Sequence, residues 1–172
     1  MPEKPAKKND APLGERQRRI YNFLSNNRTG VLTTVDPNGE PHGTVIYYTI
    51  DDRFNVSFLT KTGTKKYDNL TKKNHTVLVV FESSSQTVAQ IIGKANEIKD
   101  SYAVNEVAAD VFKTSLSHSE SGLPPLIKLE AGEYTAFTIE PDQIRMATFA
   151  KPDSGDYEKV FESIESFHLK DE

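Results

Sequence analysis

The middle of the sequence alternates between apolar and polar residues in short runs that very short connections join. GVLTTVD (Gly30 to Asp36) and TVIYYTI (Thr44 to Ile50) flank the turn residues PNGE, and FNVSFLT (Phe54 to Thr60) follows Asp51-Asp52-Arg53. Asn-Gly between alternating runs is a strong short-range signal for a hairpin. Because connections this short join antiparallel neighbours, the sequence predicts three antiparallel strands in succession.

More strand-like runs follow along the chain. Thr76 to Glu82 and Thr87 to Ile98 surround a Ser-rich turn, and the second run is long enough to bend at Gly93. Glu133 to Pro141 and Gln143 to Phe149 are typical of a final strand pair. Many short antiparallel strands with few helices predict a mainly β fold, a small barrel or sandwich, rather than the βαβ units of a Rossmann domain.

Helical periodicity is confined to a few segments. Gly14 to Asn26 and Ser101 to Leu116 each carry an apolar stripe, and an acidic helix is predicted at the C-terminus. The apolar face of that last helix would consist of Tyr157, Val160, Phe161 and Ile164. Residues 1–12 are rich in Lys and Pro, so we expect a disordered tail before a single domain at residues 13–172.

Composition narrows the classes of function. The 172 residues include no cysteine, which excludes disulfides, thiolate catalysis and cysteine metal sites. No apolar run approaches the roughly 20 residues of a membrane helix, and the N-terminus lacks the apolar centre of a signal peptide. A net charge of −4 argues against general nucleic-acid binding. We therefore expect a cytoplasmic protein with no membrane or nucleic-acid partner.

One segment, LTKTGTKKYDNL (Leu59 to Leu70), has its charges where a helix disfavours them. From Thr60 to His75 there are five lysines and one aspartate, and two of the lysines stand where a short helix begins. Lysines at the positive end of a helix are unfavourable unless an anion is near. Gly63 permits the turn and Thr64 suits the N-cap, so backbone N–H groups, a hydroxyl and ammonium groups would surround one spot. A phosphate fits this spot, but the residues alone leave open a solvated helix with extended lysines.

The order of these elements resembles the pyridoxamine-phosphate-oxidase-like FMN-binding split-barrel family over about Ile20 to Phe149. In that family a strand ends in an apolar residue and Thr, and Gly-Ser/Thr with two basic residues then opens a small helix. The residues that match this pattern are Leu59, Thr60, Gly63, Thr64, Lys65 and Lys66. The following Asn69-Leu70, the hairpin VDPNGEPH and the strand IGKANEI are also similar. The resemblance implies a split β-barrel of antiparallel Greek-key type.

The resemblance also implies a cofactor site. Thr64, Lys65 and Lys66 would hold the phosphate of FMN, and Leu59 and Thr60 would contact the flavin or its ribityl chain. FMN would lie at the interface of a homodimer, and the protein would be an oxidoreductase of unassigned substrate.

Further contacts to the flavin ring are implied for the strand Thr44 to Thr49. Thr44 lies on that strand, and Tyr47 or Tyr48 would touch the ring, although both tyrosines are equally well explained as strand residues packed in the barrel. Gln90 is a candidate hydrogen-bond donor to the ring. His42 follows Pro41 at a hairpin end and is better explained as a turn residue than as a flavin contact.

Departures from the family pattern argue against oxidation of a vitamin B6 compound. True pyridoxamine phosphate oxidases carry Arg and Lys where this chain has Thr44 and Thr49, and a glutamine where it has Val88. The region in which they carry their final Trp, Arg and His residues reads IRMATF here, followed by the predicted acidic helix. Two alternatives stay open: a deazaflavin-dependent reductase that uses the same site, and a non-catalytic flavin- or haem-binding stress protein.

Overall fold

The computed structural model describes residues 14–117 and 134–149, together with the backbone of residues 161–168. The predicted tail at residues 1–12 lies outside the described residues. In chain order the elements are α1 (Glu15–Asn26), β1 (Thr29–Val35), β2 (Pro41–Ile50), β3 (Val56–Lys61), α2 (Lys65–Lys72), β4 (His75–Glu82), β5 (Thr87–Glu97), α3 (Ser101–Ser117), β6 (Tyr134–Phe149) and β7 (Phe161–His168).

All seven described strands belong to one antiparallel sheet, in the order β3-β2-β1-β4-β5-β6-β7. Because β3 also pairs with β6, six of these strands close into a barrel and β7 extends the sheet beyond it. The meander β1-β2-β3 followed by the return of β4 to the side of β1 is a Greek key. The predicted mainly β, antiparallel barrel is confirmed.

The predicted final strand pair is wrong, because β6 is one strand of 16 residues. Its ladder with β5 shifts register between Ile92 and Gly93, opposite Pro141. A Cβ atom at Gly93 would lie 2.2 Å from the carbonyl oxygen of Glu140, so only glycine allows this close approach. Because of this bulge, β6 continues through Pro141-Asp142, although that dipeptide is typical of a turn. The predicted bend or bulge at Gly93 is confirmed.

The predicted C-terminal helix is also wrong where the structure describes it. Residues Phe161–His168 form β7, which pairs with Gln143–Phe149 of β6. The apolar residues of FESIESFH recur every third position, which imitates a helix. Pairing with the exposed edge of β6 supplies backbone hydrogen bonds that local periodicity does not reveal, and this tertiary contribution outweighs helix propensity.

Helix α3, predicted from its apolar stripe, packs on the outside of the barrel. Its Ala108 and Val111 are buried with Leu59 of β3 and Ala136 of β6. Leu116, expected in the same apolar stripe, is instead 52% exposed. Among the described residues, no helix combines the length and the apolar character needed to cross a bilayer.

Candidate functional site

The barrel is split between β2 and β3. Their ladder is limited to Tyr48–Ile50 paired with Val56–Phe58. Beyond these pairs β3 continues along β6, while the first part of β2 continues along β1. The two strands therefore diverge, and a cleft of about 500 Å³ lies between them, a volume typical of small-molecule sites.

The cleft brings together most of the residues predicted from the sequence. Its lining consists of His42, Thr44, Val45, Ile46, Tyr47, Leu59, Thr60, Lys61, Thr64, Lys65 and Lys66. Seven of the nine residues that the sequence proposed are in this set, and the two exceptions are Tyr48 and Gln90. One wall is β2, the facing wall is the end of β3, and the start of α2 closes one end.

The start of α2 has the geometry that its sequence predicts. Gly63 has φ +74°, a left-handed conformation that favours glycine. The Thr64 hydroxyl caps the helix by accepting a hydrogen bond from the Tyr67 backbone N–H at 3.3 Å, and it donates to the Lys61 carbonyl at 2.9 Å. The Thr60 hydroxyl lies 3.3 Å from that of Thr64. The cap is thus tied to the end of β3, and the first N–H groups of the helix lie at the cleft.

The two lysines at this helix start have different surroundings. Lys66 is half-buried, and its amine lies 5.6 Å from the centroid of the Phe58 ring. Burial lowers the pKa of the Lys66 amine to about 8, because a low-dielectric environment disfavours the charged form. Lys65 is exposed beside the β1–β2 hairpin. There the Glu40 backbone N–H and, to a smaller degree, the Lys65 charge lower the pKa of Asp36.

A buried amide holds α2 against the barrel. The Asn69 side chain, 2% exposed, donates to the Thr34 hydroxyl at 3.0 Å. Thr34 in turn donates to the carbonyl of His42, a cleft residue, at 3.4 Å. The family-like Asn69 therefore positions the helix relative to the strand that forms the opposite wall.

Tyr47 and Tyr48 lie on opposite sides of β2. Tyr47 lines the cleft, whereas Tyr48 is fully buried and its hydroxyl donates to the carbonyls of Leu24 and Asn27, each at 2.9 Å. Burial raises the pKa of Tyr48 well above its usual value. The proposed ring contact of Tyr48 is therefore corrected: this tyrosine anchors α1 to the barrel.

Gln90 lies away from the cleft. It is on β5, paired with Val79 of β4 and Arg145 of β6, and two strands of the sheet, β1 and β4, separate β5 from the cleft wall β2. Within one copy of the chain it cannot contact a ligand in the cleft. A glutamine two residues from the family position proved too weak a signal to place it there.

Sequence reasoning missed several cleft residues. Val45 and Ile46 line the wall between the predicted Thr44 and Tyr47, and Lys61 adds a third lysine. His42, expected to be a turn residue, is half-buried in the lining. These residues line the cleft because β2 diverges from β3. No local sequence pattern shows where two strands diverge.

The architecture and its cleft define a split barrel, and comparison with known proteins gives the family. A family model described as pyridoxamine 5'-phosphate oxidase matches residues 17–148. The chain belongs to the pyridoxamine 5'-phosphate oxidase-like family. A search of curated proteins finds no match.

Solved structures with this fold include proteins of several descriptions. General stress protein 26 from Bacillus anthracis is 22% identical with a TM-score of 0.58, over 76% of this chain and 92% of that one. A pyridoxamine 5'-phosphate oxidase-related, FMN-binding protein from Nostoc punctiforme is 16% identical with a TM-score of 0.57, over 92% and 100%. A heme-binding protein from Mycobacterium smegmatis is 11% identical with a TM-score of 0.64, over 92% and 60%. Identities this low show a shared fold.

Proposed function

We propose that this chain is an FMN-binding flavoprotein and an oxidoreductase whose substrate is unassigned. The observation that carries the proposal is the start of α2: the Thr64 cap, Lys65 and Lys66 meet at one end of a cleft of about 500 Å³. A helix N-terminus with a hydroxyl and two ammonium groups favours a phosphate through backbone N–H groups, the helix dipole and charge. The FMN-binding relative from Nostoc punctiforme supports the same choice.

The rest of the cleft suits the remainder of that cofactor. Val45, Tyr47 and Leu59 give apolar surface for a planar ring, and the Thr60 hydroxyl lies between this surface and the helix start. Apolar walls with a few convergent polar groups are typical of cofactor sites. The residues present therefore fit FMN with its phosphate at α2 and its ring along β2.

This fit separates the role of the cofactor from the role of the chain. Bound FMN would supply the electron-transfer chemistry, whereas the chain binds, orients and shields it. Lys66 holds charge at the phosphate end, and the Thr60–Thr64 contact fixes the helix start. No described side chain in the cleft forms a nucleophile–base pair, so we assign no catalytic side chain.

We further propose a homodimer with the cofactor at the interface. The outward sides of the neighbouring strands β2, β1 and β4, which we call the outer face, include large exposed apolar residues. Val31 is 43% exposed, Val45 64% and Phe81 55%. Contiguous apolar surface of this kind marks interaction sites. Val45 and Tyr47 belong both to the outer face and to the cleft, so a copy that covers the face would also cover a cofactor.

The test is to identify what the protein carries. Mass spectrometry of the small molecule that co-purifies should give FMN, and titration of the apoprotein with FMN should quench flavin fluorescence at a 1:1 ratio. A deazaflavin, with its longer anionic tail, is titrated side by side because Lys61 adds positive charge to the cleft. Tighter deazaflavin binding would replace FMN in the proposal, and binding of neither would end it.

A second candidate is a non-catalytic haem-binding or flavin-binding stress protein. His42 in the cleft lining and the heme-binding structural neighbour favour haem, and the stress-protein neighbour favours a non-catalytic role. A dithionite-reduced spectrum with haem bands that His42→Ala abolishes would support the haem protein. Bound FMN that no nicotinamide donor reduces would support storage.

A further inference from the structure

One side of α2 is attached to the β1–β2 hairpin. Lys65, Asn69 and the C-cap residue Lys73 follow one another at intervals of four, which places them along one side of the helix. The Lys73 amine donates to the Pro37 carbonyl at 2.9 Å, and the Lys65 charge acts on Asp36. Both of these lysines are exposed, so solvent weakens their contacts. The contact of Asn69, between them, is buried.

The hairpin partner of Asn69 is Thr34, which lies inside the barrel. Burial alternates along β1, so that Thr34 is on the same side as Leu32, and both residues are fully buried. An apolar residue is the usual occupant of such a position. Burying a hydroxyl and an amide costs free energy that their hydrogen bond largely offsets, so an apolar pair of the same shape would be about as stable. Stability alone therefore does not explain the Thr34–Asn69 pair.

The pair has a direction that an apolar pair would lack. A threonine hydroxyl has one proton to donate, and Thr34 donates it to the His42 carbonyl at 3.4 Å. The hydroxyl oxygen then accepts from the Asn69 amide at 3.0 Å, which fixes the amide with its N–H group toward Thr34. A continuous path of hydrogen bonds thus leads from the middle of α2 to the backbone of β2.

The two structures that this path joins form different parts of the cleft. The start of α2 provides Thr64 and Lys66, whereas β2 provides the wall with Val45 and Tyr47. A ligand that touches both parts has to match the distance between them, and supporting hydrogen bonds hold such distances constant. A ligand that touches only the wall does not depend on that distance.

We propose that Thr34 and Asn69 are positioning residues that set the distance between the start of α2 and the β2 wall, and that they thereby select ligands with a phosphate at that distance from the ring. Neither residue lines the cleft, so both act through the helix and through the backbone of His42. The proposal rests on the proposed function, because it takes the phosphate of FMN as the group at the helix start.

Removal of one hydroxyl tests the positioning role. Thr34→Val keeps the shape of the side chain but breaks the path between Asn69 and His42. It should weaken FMN about three- to tenfold and riboflavin, which lacks the phosphate, by no more than about twofold. Thr34→Ser retains the hydroxyl and should restore most of the difference between the two ligands. Fluorescence titrations of the apoprotein with FMN and riboflavin give these affinities.

A double variant separates positioning from packing. Thr34→Val combined with Asn69→Leu replaces the polar pair by an apolar pair of similar shape, so it should be more stable to urea than Thr34→Val alone. Its preference for FMN over riboflavin should remain reduced, because the directed path is absent. Thr87→Val is the matched control: Thr87 is 6% exposed, and its hydroxyl lies 3.2 Å from that of Thr148, between β5 and β6. This control should lose stability without a change in either affinity.

The ratio of the FMN and riboflavin affinities decides the outcome. A wild-type ratio in Thr34→Val, or a double variant that regains the wild-type ratio, would overturn the positioning role. If Thr34→Val does not fold, the double variant alone gives the ratio, and a wild-type value there has the same meaning. A wild-type protein that does not distinguish FMN from riboflavin would instead end the proposed function, so the two failures can be told apart.

Discussion

The two edges of β3 differ in how far they pair with neighbouring strands. Along one edge, all six residues Val56–Lys61 pair with β6 and close the barrel. Along the other, pairing with β2 stops after three residues, and the cleft opens where the ladder ends. The closed edge brings Phe58 and Phe137 into the core, whereas at the open edge Leu59, Thr60 and the start of α2 line the cleft. One short strand therefore closes the barrel on one side and lines the cleft on the other.

The largest effect should come from breaking the closed edge. Phe137, 1% exposed, stacks on Phe58 with ring centroids 5.9 Å apart. Phe137→Ala should lower the free energy of unfolding by about 3–5 kcal/mol, measured by urea denaturation. Val45→Ala at the open edge should change it by no more than about 0.5 kcal/mol. Equal losses would show that the two edges do not differ in this way.

The next largest effect should appear in binding at the open edge. Lys66→Ala should weaken FMN by about 1.5–3 kcal/mol and riboflavin far less, because riboflavin lacks the phosphate. Thr64→Ala should act in the same direction and also cost about 1 kcal/mol of stability through loss of the cap, which Thr64→Ser should retain. Fluorescence titrations with both ligands provide the measurement. An equal loss of affinity for FMN and riboflavin would show that Lys66 and Thr64 do not contact the phosphate.

The adjacent tyrosines of β2 allow a matched comparison of the two sides of one strand. Tyr48→Phe leaves the carbonyls of Leu24 and Asn27 without their donor and should cost about 1–2 kcal/mol of stability with no effect on FMN affinity. Tyr47→Phe leaves both of these carbonyls paired and should cost less stability than Tyr48→Phe. Chemical denaturation and ligand titration of both variants decide the matter, and a Tyr48→Phe protein with native stability would oppose the anchoring role.

The smallest effect is a pH dependence. A bound phosphate favours the charged form of Lys66, so FMN affinity should fall as the pH rises above about 8, the pKa of Lys66 in the free protein. Lys66→Arg, charged throughout, should show a flatter profile between pH 7 and 9.5.

A loss of protein stability caused by titration of Lys66 cannot explain this decline in FMN affinity. The folded-state pKa lies below the unfolded value, so the unfolded chain binds more protons between pH 8 and 10.5, and the Lys66 contribution to stability rises with pH in that window. Identical pH profiles for the wild type and Lys66→Arg would rule out titration of Lys66 as the cause.

Sequence reasoning succeeded where the determinants are local. Alternation and the Asn-Gly turn predict β1 and β2, and both strands form, with β2 beginning three residues before the predicted start. The Thr64 cap and the left-handed Gly63 likewise follow from neighbouring residues and are confirmed. These features need no knowledge of distant parts of the chain.

Sequence reasoning failed where the structure depends on residues far apart in the chain. The single strand β6 depends on Gly93 of another strand, and β7 depends on an edge that β6 offers. The cleft depends on where β2 leaves β3, which is a matter of register. Alternation did indicate that Tyr47 and Tyr48 point to opposite sides, but it could not tell which side is the barrel interior.

The most direct test of the account compares the affinities of the wild-type apoprotein for FMN and riboflavin. Both ligands share the ring and the ribityl chain, so their difference isolates the phosphate at the start of α2. FMN should bind more tightly by at least about tenfold in a fluorescence titration at pH 7. Equal dissociation constants, or no binding of either ligand, would contradict a phosphate site formed by Thr64, Lys65 and Lys66.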